Sequence, residues 1–138
     1  MTLPKQKSRE IVLQMLFAHQ DTGSDTEYLI KAFMHLLKTT KKNIETALLK
    51  KEAIIQKLQV IDKAIEQLCN DYAFNRISKI ELNVLRLAFY EIYFEKPAPR
   101  SVILAEALRL TKKFSSSSSV AFVNALLDAK EAQEFFLV

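Results

Sequence analysis

The sequence predicts an all-α protein, and three observations support that prediction. Residues that break helices are scarce, because the 138-residue chain contains one Gly and three Pro. Apolar residues recur every three or four positions, which is the period of an amphipathic helix, whereas the alternation typical of strands is nearly absent. A content of 49% hydrophobic and 26% charged residues is that of a globular chain. We therefore expect one helical domain over residues 1–138, with a soft division into 1–72 and 73–138.

The first two helices are predicted from cap residues followed by apolar stripes. Ser8 is expected to cap a first helix that ends before a turn at residues 21–24, and Asp25 or Thr26 to begin a second. The residues expected to face inward are Ile11, Val12, Met15, Leu16 and His19 in the first helix, and Leu29, Ile30, Phe33, Met34, Leu36 and Leu37 in the second.

A third stripe continues without a breaker from Thr40 to about Asp71, so one long helix is the simplest interpretation. Lys50 and Lys51 interrupt the stripe and mark a place for a solvent-exposed bend. The apolar positions of this helix are Ile44, Leu48, Ile55, Leu58, Ile61, Ile65 and Leu68.

The most informative segment is a central helix predicted over residues 78–94. Ser78 and Glu81 have the spacing of a capping box, so the helix is expected to begin there. Its apolar residues lie on two opposite sides, and the second side needs cover from another helix or from a partner. One side carries Ile80, Val84, Leu87, Ala88 and Ile92, and the other carries Leu82, Phe89 and Tyr93.

Residues 96–99 contain two prolines and predict a firm stop after the central helix. Ser101 is then expected to cap a helix, and the five serines at 115–119 to form a flexible loop whose last member caps a final helix. The inward residues are Val102, Leu104, Ala105, Leu108 and Thr111 in the first of these helices, and Phe122, Val123, Leu126 and Leu127 in the last.

Several classes of protein are excluded by what the sequence lacks. Cys69 is the single cysteine, so an internal disulfide cannot form, and the N-terminus lacks the apolar core of a signal peptide. The chain has no apolar run of about 20 residues that would span a bilayer. We therefore expect a cytoplasmic protein that does not insert into membranes.

Catalytic chemistry has little support in the sequence. His19 and His35 lie on different helices without metal-ligand spacing, and a lone Gly23 cannot build a phosphate-binding loop. Cys69 follows an apolar residue of a helix, so we interpret it as a packed thiol rather than a nucleophile. We expect no catalytic residue, no metal and no cofactor.

Binding is easier to support. Lys5, Lys7 and Arg9 form a basic N-terminal arm that can follow phosphates, although a solvated terminus explains the same residues. A pI near 9.2 is compatible with a nucleic acid partner without requiring one.

A second candidate for RNA contact lies just before the central helix. Tyr72, Phe74 and Arg76 combine aromatic faces with a guanidinium, which suits stacking on unpaired RNA bases, although the rings can equally fill a junction between helix layers. Glu91 falls on the apolar side of the central helix and should have a cationic or backbone partner, with Arg9 or Arg76 as candidates.

An ordered set of residues then resembles one known family. The matches run over nearly the whole chain, although residues 28–55 contribute little. They comprise Ser8-Arg9-Glu10, Gln14-Met15-Leu16-Phe17, Ile61-Asp62, Ile65, Tyr72, Arg76-Ile77, Glu81, Val84-Leu85-Arg86-Leu87-Ala88, Tyr90-Glu91-Ile92, Pro99, Val102, Glu106-Ala107, Leu110, Lys112, Phe114, Phe122-Val123-Asn124 and Leu127-Asp128. In this set the chain resembles the NusB family of bacterial transcription antitermination factors.

The resemblance implies an all-α fold of about seven helices in two packed bundles that form one NusB-like domain, without catalysis. It also implies two partners. They are NusE, which is a small-subunit ribosomal protein, and the boxA element of nascent ribosomal RNA leaders, bound within the antitermination complex of RNA polymerase. A homodimer is left open by the sequence.

The resemblance and the reading of the residues together assign two surfaces. The RNA-binding residues are expected to be Lys5, Lys7, Arg9, Tyr72, Arg76, Ser118, Ser119 and Phe122. The NusE-binding residues are expected to be Phe17, Glu81, Leu82, Arg86 and Phe89, which would give the spare apolar side of the central helix a use.

Departures from the family pattern leave two other functions open. The pattern usually has Trp at Tyr72, Tyr at Phe17, Asn at Ala105, Gly at Ala125, and Gly with polar or acidic residues at 115–119. One alternative is a helical adaptor that binds protein but no RNA. The other is a relative of the NusB-like domain of ribosomal RNA cytosine methyltransferases, which would require a cofactor-binding domain after Val138.

Overall fold

The computed structural model describes residues 4–22, 26–69 and 74–128, and all regular structure within these ranges is helical. This confirms the predicted all-α class with about seven helices. The α-helices are α1 (Lys5–Thr22), α2 (Thr26–Leu37), α3 (Lys41–Gln56), α4 (Leu58–Leu68), α5 (Lys79–Tyr90), α6 (Arg100–Phe114) and α7 (Ser117–Asp128). A 3₁₀ turn at Phe74–Arg76 precedes α5, and a π-helical turn at Glu91–Glu95 follows it.

Two compact units divide the chain, one ending at Ile55 and the other beginning at Gln56. The first contains α1, α2 and nearly all of α3, and the second contains α4 to α7. The soft division expected near residues 72–78 falls within the residue range of the second unit and stays a prediction.

The prediction of one long helix from Thr40 is wrong. Helix α3 ends at Gln56, Lys57 leaves helical geometry with φ −103° and ψ 7°, and α4 begins at Leu58. Neither Gly nor Pro marks this break, so the apolar period continues across it. Lys51, expected at an exposed bend, is instead buried within α3 with 1% of its surface exposed, and its ammonium lies 2.8 Å from the Glu52 carboxylate. The predicted end near Asp71 lies outside the described residues.

Helix α1 begins three residues before its predicted cap. It starts at Lys5, and the Ser8 N–H donates to the carbonyl of Pro4 at 3.0 Å, so Ser8 lies inside the first turn. Proline is favourable next to a helix N-terminus because it has no N–H to leave unsatisfied. The basic residues expected in a loose arm therefore belong to a helix.

The predicted capping box of α5 is confirmed. The Ser78 hydroxyl accepts from the Glu81 N–H at 3.1 Å, and the Glu81 carboxylate accepts from the Ser78 N–H at 3.0 Å. At the other end, α5 changes to the π-helical turn, and Lys96 then takes a left-handed backbone with φ 53°. The stop predicted for the proline segment occurs there.

Helix α5 is the central helix of the second unit, where it packs against α4, α6 and α7. Both of its apolar sides contain buried residues: Val84 and Leu87 on one side, and Leu82 and Phe89 on the other. The sequence left open whether another helix or a partner protein covers the second side. In the structure, Leu82 and Phe89 on that side are already buried within the chain.

Two helices present a face that differs from the predicted one. Helix α6 begins at Arg100 after Pro99, without a side-chain cap, and Ser101 is exposed. Val102 is 44% exposed and Leu36 of α2 is 72% exposed, so both predicted core positions are wrong, and Ala105 is exposed as well. The Leu29 side chain lies outside the described residues. In α6 the buried residues are Ile103, Glu106, Ala107, Leu110 and Thr111. Thr111 is buried as predicted, whereas Leu104 and Leu108 are half-buried.

The serine segment is mostly helical rather than a flexible loop. Only Ser115 and Ser116 separate α6 from α7, because α7 begins at Ser117. The Ser116 hydroxyl accepts from the N–H of Ser119 at 3.4 Å, which is the position of an N-cap contact, so Ser116 takes the role predicted for Ser119.

Candidate functional site

The start of α1 carries the basic residues predicted for RNA contact. Lys5 and Lys7 are exposed, whereas Arg9 has only 5% of its surface exposed and makes its contacts within the chain. The first turn contains no acidic residue. The partial positive charge of a helix N-terminus adds to the two lysines, so this end of α1 attracts anions. Lys5 and Lys7 are therefore the accessible part of the predicted arm.

The aromatic and cationic group before α5 is only partly described. Tyr72 lies outside the described residues. Phe74 is half-buried and Arg76 is exposed in the 3₁₀ turn, where Arg76 also interacts within the chain. Arg76 is thus held near the N-terminus of α5 with part of its surface open to solvent.

Hydroxyl contacts hold the start of α7 in place. Ser119 is buried, and its oxygen accepts from the Ser115 hydroxyl at 2.9 Å. Ser118 is exposed and lies 3.0 Å from the Ser116 hydroxyl, while Phe122 is half-buried. Of the three predicted RNA-binding residues in this segment, Ser118 is exposed, Phe122 is partly accessible and Ser119 is not accessible.

The position of α7 relative to α6 is set by packing and by one arginine. The two helices pack along their length, and Arg100 at the start of α6 donates to the Leu127 carbonyl near the end of α7 at 2.6 Å. The other terminal nitrogen of Arg100 lies 3.4 Å from the Tyr93 hydroxyl. A charged donor that bonds to the last carbonyls of a helix stabilises the end of that helix, so Arg100 stabilises the end of α7.

The residues predicted to bind NusE are mostly buried. Leu82 and Arg86 are 8% exposed, and Phe89 is fully buried. In this structure these three side chains belong to the helical core and offer little or no surface to a partner. Glu81 stays partly exposed while it holds the capping box, and Phe17 is half-buried in the first unit.

Arg86 makes an ion pair that sequence reasoning missed. Its Nε and Nη2 donate to the two carboxylate oxygens of Asp62 at 2.9 and 2.8 Å, and its Nη1 donates to the Asn83 side chain at 3.2 Å. This two-pronged bond joins α4 to α5 and satisfies a nearly buried guanidinium. Arg86 and Asp62 both occur among the residues that carry the family resemblance. Their joint presence in that set was the one feature of the sequence that could have indicated the pair.

Glu91 is another buried charge, with 1% of its surface exposed at the start of the π-helical turn. It interacts within the chain, as buried carboxylates must. Its pairing with Arg9 or Arg76 stays a prediction.

The described residues offer little for catalysis. Among them, no group of three or more His, Cys, Asp or Glu side chains is placed to hold a metal ion. Burial raises the pKa of the Cys69 thiol, and the negative charge of Glu66 raises that pKa further. A raised thiol pKa means less thiolate, which opposes a nucleophilic role. Cys69 is half-buried at the end of α4 rather than fully packed.

An aromatic pair next to the π-helical turn also escaped the sequence interpretation. The Tyr90 and Phe94 rings are stacked with centroids 5.9 Å apart, and the Lys57 ammonium lies 5.3 Å from the Phe94 centroid. Burial raises the pKa of Tyr90, with a further contribution from the charge of Glu95. Aromatic spacing of four residues was the available sign in the sequence.

None of the described helices combines the length and apolar character needed to cross a bilayer. Taken together, the helical fold, the internally satisfied charges and the exposed lysines of α1 define a helical binding protein. A sequence profile of the NusB family matches residues 6–131. The chain therefore belongs to the NusB family.

Individual relatives agree with this assignment. Transcription antitermination protein NusB of Chlamydia pneumoniae is 35% identical over 125 residues, which cover 91% of this chain and 78% of that protein. The protein of the same name from Clostridium novyi is 35% identical over 125 residues, covering 89% and 94%. These names describe regulation of transcription, a non-enzymatic function, which confirms the prediction of a non-catalytic protein.

Solved structures show the same fold. NusB of T. maritima superposes with a TM-score of 0.79 at 33% identity, covering 97% of this chain and 94% of that one. A structure of the antitermination factors NusB and NusE in complex with dsRNA superposes with a TM-score of 0.76 at 22% identity, covering 90% and 92%.

Proposed function

We propose that the protein is a transcription antitermination factor that binds RNA together with a NusE-type small-subunit ribosomal protein. The observation that carries this proposal is the family match over residues 6–131, supported by relatives named for antitermination. The structurally similar complex that contains NusB, NusE and dsRNA supports the two kinds of partner.

The finer proposal is that the RNA is the boxA element of nascent ribosomal RNA leaders, bound in the cytoplasm within the antitermination complex of RNA polymerase. Lys5 and Lys7 contact the phosphates, since they are exposed at the cationic end of α1. Arg76, Ser118 and Phe122 offer exposed or half-buried polar and aromatic groups for bases and sugars.

The NusE surface is proposed to include Phe17 and Glu81, the two predicted residues that keep part of their surface open. Leu82, Arg86 and Phe89 support that surface from within the helical core instead of touching the partner, because they are buried.

The RNA assignment is tested by removing the two exposed charges of α1. The variant Lys5→Gln/Lys7→Gln should bind boxA RNA about tenfold more weakly at low salt, and the slope of log K against log salt should fall by about 1.4 for two lost phosphate contacts. Binding is measured by fluorescence anisotropy with NusE present, over a series of salt concentrations.

The matched control is Lys63→Gln/Lys96→Gln, which removes the same charge from exposed positions elsewhere. For this control, the slope of log K against log salt should equal that of the unaltered protein. Equal affinities and slopes for the two double variants would show that α1 does not contact RNA. Arg9 is kept in both proteins because it is buried and its loss would affect folding.

A further inference from the structure

A second cluster of positive charge lies where α2 ends and α3 begins. It consists of Lys31, His35, Lys38, Lys41 and Lys42, which are all exposed and which we name the basic corner. Between Tyr28 and Ile44 the chain contains no Asp or Glu, and the four lysines equal the formal net charge of +4 of the whole chain. This charge is separate from Lys5 and Lys7 of α1, which the proposed function assigns to RNA.

The fold brings these basic side chains to one surface. Lys31, His35 and Lys38 follow each other at intervals of four and three residues, so they lie along one face of α2 and its end, opposite the buried Phe33. Lys38 has a left-handed backbone with φ 50°, which turns the chain toward α3.

A groove connects the two helices of the corner. Lys31 of α2 and Lys41 of α3 both line an open groove of about 480 Å³. Its other lining residues are Glu27, Ile30, Met34 and Glu45. Lys31 of α2 and Lys41 of α3 therefore face a common groove, which two carboxylates also line.

The placement of two of the lysines opposes local stability. Lys41 and Lys42 occupy the first turn of α3, which contains no acidic residue. Cations there are repelled by the positive end of the helix dipole and by each other. None of the five side chains of the corner forms an ion pair with another described residue. Because four lysines stand beside only the two groove carboxylates, Glu27 and Glu45, the corner keeps a net positive charge that an external anion would relieve.

We propose that the basic corner binds the phosphate backbone of RNA, as a second contact in addition to the start of α1. The inference rests on the proposed function, because it takes RNA as the partner. The stripe from Lys31 to Lys38 is about 10 Å long at 1.5 Å per residue, which is long enough to follow neighbouring phosphates of one strand.

An exposed ring favours RNA over an acidic protein as the occupant. Tyr28 is 69% exposed and precedes Lys31 by three residues on the same face of α2. An aromatic face beside a line of cations is the combination that holds unpaired nucleotides, because the base stacks while the phosphates are neutralised.

The test uses the full chain with NusE and a labelled boxA RNA that carries additional flanking nucleotides. Lys41→Gln/Lys42→Gln should weaken binding several-fold and lower the slope of log K against log salt by about 1.4. Lys63→Gln/Lys96→Gln is the matched control and should keep the slope.

Glu45→Gln removes a carboxylate from the groove and should tighten binding. Tyr28→Ala should weaken binding with no change in slope, because it removes stacking but no charge.

Melting curves and NusE affinity are compared first, so that only folded variants are interpreted. If Lys41→Gln/Lys42→Gln has the same salt slope as the control, the inference is wrong. If Lys5→Gln/Lys7→Gln still loses affinity in that case, the proposed function stands and only the second contact at the basic corner is rejected. Failure of the unaltered protein to bind RNA, with NusE present at low salt, would contradict both the corner and the proposed function.

Discussion

Arg86 illustrates how a charged side chain can belong to the core of this protein. Its guanidinium donates two bonds to Asp62 on α4 and a third to Asn83, so that each of its three nitrogens is hydrogen-bonded to a protein oxygen. Such a pair is costly to break, because the partner that remains is left charged and partly shielded from water. Arg86 therefore holds α4 against α5 instead of facing a partner protein.

Replacing Arg86 should destabilise the protein. Arg86→Ala is expected to lower the free energy of unfolding by about 2–3 kcal/mol, since Asp62 loses two charge-assisted hydrogen bonds. Arg86→Lys should lower it by about half as much, because an ammonium keeps the charge but not the two-pronged geometry. Urea unfolding followed by circular dichroism measures both.

Lys63→Ala provides the control, one residue from Asp62 on the exposed side of α4. Its effect should stay within about 0.5 kcal/mol, as for most surface substitutions. If Arg86→Ala has as small an effect as Lys63→Ala, the ion pair does not stabilise the junction of α4 and α5.

At the scale of residues, the sequence predicted which apolar residues are buried better than it predicted which neighbouring elements cover them. Ile11, Ile44 and Val84 are buried as expected. Phe89 was assigned to a partner because one helix seen alone does not show which neighbours will cover its second side. That information depends on the packing of α4, α6 and α7 around α5.

At the scale of elements, local chemistry was predictable and long-range packing was not. The capping box at Ser78 involves only four consecutive residues, so its sequence pattern contains the whole interaction. The break at Lys57 has no Gly or Pro to indicate it, and the start of α1 at Lys5 precedes the expected Ser8 cap. Serine at a helix start is a frequent cap but also an acceptable residue of the first turn.

The cap of α5 leads to a prediction. Ser78→Ala should lower the free energy of unfolding by about 1 kcal/mol, because the N–H of Glu81 loses its acceptor. The comparison is Ser101→Ala, since Ser101 lies exposed at the start of α6, where no side chain provides a cap. Thermal and urea unfolding of both variants provide the measurement.

Ser101→Ala should change stability by no more than about 0.5 kcal/mol. Equal losses for the two serines would mean that the capping box contributes nothing beyond the loss of a hydroxyl.

At the scale of the whole molecule, the fold class and the family followed from the sequence, because a helical period and an ordered set of residues extend over most of the chain. The binding surfaces were harder to predict. The basic residues of α1 were identified from their clustering, whereas the basic corner was not, because exposed lysines are ordinary on a helix until the fold brings two helices together around one groove. A single domain over residues 1–138 stays a prediction.

The central claim is that this protein and a NusE-type protein bind boxA RNA as a pair. The most direct measurement is a titration of labelled boxA RNA with this protein, with NusE and with both, at several salt concentrations. We expect the affinity for RNA to rise tenfold or more when NusE is added, about 1.4 kcal/mol or more of coupling, and RNA to tighten the protein pair by the same factor. RNA that binds no better to the two proteins together than to either one alone would contradict the account.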